Sequence, residues 1–67
     1  MICIRLNGQI QSISDNLSLA ELLDQRRLDP MKVAIAKNLE VIVRSELEKT
    51  RLQDGDEVEI FQAVGGG

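Results

Sequence analysis

The chain runs out in Val64-Gly65-Gly66-Gly67, and the group there with the most distinctive chemistry is the carboxylate expected on Gly67. Glycine has no Cβ, so such a run can thread a channel too narrow for other residues and carry its end to a nucleotide in another protein's active site. Extended, residues 63–67 would reach roughly 17 Å from the domain, at about 3.3–3.6 Å each. An α-carboxyl titrates near about 3.5, so at neutral pH it is an oxyanion able to attack the α-phosphate of ATP, yet a poor acyl acceptor until adenylated. Attack on the resulting mixed anhydride by a sulfur donor would leave a thiocarboxylate on Gly67, a soft nucleophile able to hand sulfur onward. A glycine run alone more often marks an incidental disordered terminus, so the residues before it carry the decision.

Those residues offer little chemistry of their own. The chain holds no His, Tyr or Trp and a single cysteine, Cys3. No glycine-rich loop links a strand to a helix to cradle phosphate, and no Cys/His cluster has ligand spacing, so no metal site is expected. Cys3 has neither a histidine nor a helix N-terminus to activate it and reads as filler on the outer face of a sheet. The carboxylates fall in turns and on solvated helix faces, without the shielding that would separate the pKa values of a catalytic pair. The chain is therefore expected to act as a protein cosubstrate rather than an enzyme. It should bind no cofactor stably, with ATP used by a partner.

At 67 residues there is room for one small domain, and the 43% hydrophobic content, mostly Ile, Leu and Val with Phe61 the sole aromatic, suits a compact core. The net charge of −3 has the wrong sign for gripping phosphate backbones, so nucleic acid is not an expected partner. Asp54, Asp56, Glu57 and Glu59 form a local acidic cluster that could meet a basic surface, although turn chemistry accounts for half of it. No apolar run approaches the roughly 18 residues of a membrane span, and the start, Met1-Ile2-Cys3-Ile4-Arg5, is not that of a signal peptide. These features lead to the expectation of a cytoplasmic protein with no membrane partner.

The elements that must present the tail follow from periodicity. Ile2, Ile4 and Leu6 alternate with Cys3, Arg5 and Asn7, and Asn7-Gly8 is a strong hairpin signal, so two antiparallel strands open the chain. The second, about residues 9–14, is less tidy. A two-residue turn would put Ile10 opposite Arg5 and Ile13 opposite Ile2, on different faces, and a bulge or a longer turn is the alternative. Ser18-Leu19-Ala20-Glu21 fits a capping box, with Leu17 and Leu22 placed as a hydrophobic staple. The helix it starts has Leu19, Leu22 and Leu23 on one face and is expected to end at Asp29-Pro30.

Residues 33–37 and 40–43 read as two short strands split by Asn38, or as one strand and its turn-back. If Val33 and Ile35 point at the helix, Ala34 and Ala36 lie on the outer face. Residues 44–52 form a polar connection with a short helical turn over 45–48. After the turn Asp54-Gly55-Asp56, the last strand covers residues 57–62, with Val58 and Ile60 inward and Glu59 and Phe61 outward. A lone outward aromatic is a docking candidate, so Phe61, Glu59, Ala34 and Ala36 form the expected partner surface. The other reading has Phe61 folding over an edge to serve the core.

The order β-β-α-β-(β)-β with one main helix is that of an α+β, ubiquitin-like β-grasp. Such a fold implies a mixed sheet of four to five strands, with the first and last strands parallel in its middle. The expected organisation is a domain over 1–62 and a flexible tail over 63–67. Within this order, Leu6-Asn7-Gly8, Ser18-Leu19-Ala20-Glu21-Leu22-Leu23, Val33-Ala34-Ile35-Ala36-Lys37-Asn38, the stretch 52–60 and the Val64-Gly65-Gly66-Gly67 end together resemble the ThiS family of sulfur carriers in bacterial thiamin biosynthesis.

The resemblance implies that Gly67 is adenylated by a ThiF-type enzyme and thiocarboxylated with sulfur from a donor such as a cysteine desulfurase. It would then give sulfur to the thiazole ring built by the synthase ThiG, with Val64, Gly65 and Gly66 threading the partner's active site. The small subunit of molybdopterin synthase, MoaD, shares the diglycine end but is usually longer. Carriers for tRNA thiolation or cysteine synthesis, and a non-covalent β-grasp adaptor, are the further alternatives.

Overall fold

The structure, a computed structural model, describes residues 1–62. Strand β1 (Ile2–Leu6) and strand β2 (Gln9–Ile13) form a hairpin through Asn7 and Gly8. Both turn residues have positive φ, 48° and 84°, as a two-residue turn matching the twist of the strands requires. The register pairs Ile2 with Ile13 and Arg5 with Ile10, which settles the second strand in favour of the short turn. Ile13 joins the core, while Ile10 stands on the other face, 73% exposed. The pattern reads as untidy because β2 carries an apolar residue on each face.

Helix α1 (Leu19–Gln25) starts as its sequence predicts. The Glu21 amide donates to Ser18 Oγ at 3.1 Å, and the Ser18 amide donates to Glu21 Oε1 at 2.9 Å. The remaining amides of the first turn are met from residues 44–52: Leu19 donates to the Thr50 carbonyl at 3.0 Å and Ala20 to that of Leu47 at 3.1 Å. No donor of the first turn is left bare. The helix stops earlier than the expected Asp29-Pro30. Arg27 takes φ 58°, its amide donates to the Asp24 carbonyl at 3.1 Å, and the Leu28 amide donates to Leu23 at 2.9 Å. That paired closure reverses the chain before the proline acts, with Leu28 packing back on the core.

Strand β3 (Val33–Lys37) returns through Asn38 and Leu39 into strand β4 (Glu40–Ile42), which stops one residue before the expected Val43. A single 3-10 turn (Arg44–Glu46) replaces the helical turn expected over 45–48. Strand β5 (Glu57–Gln62) pairs parallel with β1 and antiparallel with β3, giving the sheet order β2-β1-β5-β3-β4. Helix α1 covers one sheet face through Leu19, Leu22 and Leu23, packed with Ile4, Ile35 and Val58. Leu47 and Leu52, from the stretch read as a plain connection, belong to the same core.

Candidate functional site: the last strand and the outer sheet face

The strand leading to the glycine end is the centre of the sheet. Val58 is fully buried, with β1 on one side and β3 on the other. The tail itself, with the expected sulfur-carrying Gly67 and the threading residues Val64, Gly65 and Gly66, lies outside the described residues.

Two asparagines hold β5 from opposite sides by the same device. In a continued parallel ladder, the carbonyl of Asn7 would accept from the Ile60 amide, because the Asn7 amide already donates to Val58 at 2.9 Å. The left-handed turn directs that carbonyl away. Asn7 Oδ1 takes its place, accepting from the Ile60 amide at 2.8 Å, and Nδ2 donates to the Ile60 carbonyl at 3.4 Å. Across the strand the Asn38 amide donates to the Glu57 carbonyl at 2.7 Å. Here too φ is positive, at 51°, and Asn38 Oδ1 accepts from the Glu57 amide at 2.9 Å. Read from sequence, both residues are turn formers only. The available signal was their type, since asparagine tolerates left-handed backbone and carries a carboxamide that can imitate a peptide group.

The acidic cluster divides. Asp56 is buried and structural: Oδ2 accepts from the Gln53 amide at 2.8 Å, Oδ1 from Asn38 Nδ2 at 3.1 Å, and Lys37 Nζ lies 3.9 Å away. Asp54 Oδ1 accepts from the Cys3 amide at 2.9 Å, and the Gly55 amide donates to the Cys3 carbonyl at 2.8 Å, extending the seam beside β1. The Cys3 side chain is exposed. Glu57 is exposed and Glu59 half-buried.

On the outer face, Phe61 pairs with Ala34 and Glu59 with Ala36 in the β3–β5 register, while Val41 stands opposite Ala36 on β4. Phe61 is 54% exposed and Ala34 is exposed, with Met31 bordering a shallow cavity against them. Ala36 departs from the expected docking surface, being only 7% exposed. It lies between Glu59 and Val41, whose longer side chains shield a lone methyl. The face that remains open comprises Phe61, Ala34 and the exposed Val41, with Glu59 at its border.

Comparison with known families fits this arrangement. The ThiS family model matches residues 4–67, through the glycine end. The chain belongs to the ThiS family. Among ThiS proteins, the sulfur carrier protein ThiS of Escherichia coli (strain K12) is 30% identical over 64 residues, covering 96% of this chain and 97% of that one. The crystal structure of ThiS from Geobacter metallireducens superposes with a TM-score of 0.85 at 29% identity, covering 98% of this chain and 100% of that one. A thiazole synthase of Paramagnetospirillum magneticum is 34% identical over 62 residues, covering 92% of this chain but 19% of the synthase. The chain thus spans about a fifth of the thiazole synthases it matches. The expected β-grasp and the ThiS resemblance both hold.

Proposed function

We propose that this ThiS family member carries sulfur as a thiocarboxylate on Gly67 and delivers it for thiazole formation in thiamin biosynthesis. The observation that carries the reading is the family match, which extends from within β1 to the glycine end. The Gly67 carboxylate attacks the α-phosphate of ATP in a ThiF-type enzyme, forming an acyl adenylate and releasing pyrophosphate. Hydrosulfide then displaces AMP and leaves the thiocarboxylate. A persulfide on a donor such as a cysteine desulfurase displaces AMP to give an acyl disulfide instead, which a second thiol reduces to the thiocarboxylate while itself forming a disulfide with the donor. ATP and the catalytic groups belong to the partner, so this chain is a cosubstrate, and Gly65 and Gly66 keep the approach clear of side chains.

A thiazole synthase of the ThiG type is the proposed acceptor, supported by relatives named thiazole synthase that contain a stretch similar to this chain. In those relatives, carrier-like and synthase sequences share one polypeptide, which favours physical contact between their separate counterparts. We place the exchange in the cytoplasm, where the partner enzymes and ATP are available.

The test uses the whole chain with ATP, a ThiF-type enzyme and hydrosulfide, read by intact mass. One oxygen replaced by sulfur is expected. Deleting Gly67 or adding a residue after it should abolish the product without altering the fold, and Gly66→Ala should slow its formation. Equal product from the extended chain would overturn the reading.

A further inference from the structure

We propose that Asn7 is a positioning residue for the sulfur-carrying end, because its carboxamide secures Ile60 and thereby fixes the end of β5, from which residues 63–67 continue. The inference rests on the carrier reading above. Strand β1 ends at Leu6, whereas β5 continues to Gln62. On the β3 side, pairing follows β5 to its end, with Gln62 opposite Val33. On the β1 side the backbone ladder has reached its limit once Asn7 donates to Val58. Past that point the hold on β5 passes to one side chain, whose oxygen and nitrogen engage the amide and carbonyl of Ile60.

Ile60 stands three residues before Ala63. Without the carboxamide, the Ile60 amide and carbonyl, which both face β1, lose their partner, and the end of β5 can pivot about its β3 pairing, shifting the point from which residues 63–67 continue. A reacting carboxylate is sensitive to displacements of about 1 Å, so loosening its origin slows chemistry even when docking is intact. The docking face, Phe61 with Ala34 and Val41, is separate from Asn7. The proposal therefore separates kcat from KM: losing the carboxamide lowers the rate within the complex and leaves recognition of the carrier nearly unchanged.

Asn7→Gly is the informative substitution, since glycine accepts the left-handed turn while removing the carboxamide. Asn7→Asp retains an oxygen acceptor for the Ile60 amide and serves as the conservative rescue. Adenylation is followed by ATP–pyrophosphate exchange with a ThiF-type enzyme at varied carrier concentration, alongside hydrogen exchange at single amides. In Asn7→Gly, the Ile60 amide should exchange faster while the Ile4 and Val58 amides stay protected. The kcat should fall about tenfold with KM within about twofold, and Asn7→Asp should recover most of the rate.

Faster exchange at Ile60 with an unchanged kcat would confine Asn7 to the fold and overturn the proposal. So would an Asn7→Asp chain as slow as Asn7→Gly. A wild-type chain that supports no exchange fails the carrier reading itself, and that failure appears before any variant is compared.

Discussion

Glu21 closes the start of α1 with a charge as well as a shape. Hydrogen bonds from the Ser18 backbone and side chain, with a smaller contribution from Arg51 at 3.3 Å, hold its carboxyl below the ordinary value of 4.5. A carboxyl depressed by folding stabilises the protein above its unfolded pKa, and that contribution disappears as the pH falls through the folded value. Glu21→Gln keeps an oxygen for the Ser18 amide but has no charge to lose. The difference in urea midpoint between wild type and Glu21→Gln should therefore narrow from about pH 7 to about pH 3. A difference that stays constant with pH would show that the cap works by hydrogen bonding alone.

At the scale of elements, Asp56 fastens the β3–β4 turn to the entry of β5. Its carboxylate accepts from Gln53 and Asn38 and sits near Lys37, so the turn after β3 and the turn before β5 meet on one buried group. Asp56→Ala should cost about 2–3 kcal/mol, because it removes hydrogen bonds to a charge and leaves the Gln53 amide and Asn38 Nδ2 without their partner. Chemical denaturation measures this directly, and a loss below about 0.5 kcal/mol would mean that water replaces the carboxylate without penalty.

The sequence signals that proved legible were local and paired. Asn7-Gly8 specified a hairpin, though its register was settled only by the structure, Ser18 with Glu21 specified a helix start, and alternation in 57–62 oriented Val58 and Phe61. The helix end was hidden because Arg27 occupies a left-handed position that usually signals itself with glycine. Leu47 and Leu52 were hidden because isolated apolar residues in a polar stretch have no period to reveal them. The carboxamide supports at Asn7 and Asn38 depend on which strands meet across the sheet, a long-range fact that no neighbouring residue encodes.

Among the described residues, one helix and the connection 44–52 cover one sheet face and leave the other to solvent. The covered face supplies the core; the open face carries Phe61 on the strand that leads to the glycine end. Ala34 beside it is too small to shade the ring, and Val41 on β4 continues the apolar surface. An aromatic 54% exposed contributes little to the core, so its removal should leave the melting temperature nearly unchanged. At an interface, by contrast, truncating such an anchor typically costs about 2 kcal/mol. Phe61→Ala should therefore weaken binding to either proposed partner, the ThiF-type enzyme or the thiazole synthase, by that amount, about thirtyfold in Kd. Titration against each partner, paired with a thermal melt, separates the possibilities. A large fall in melting temperature with unchanged affinity would assign Phe61 to the core, whereas loss against only one partner would show that the two enzymes grip different parts of this face.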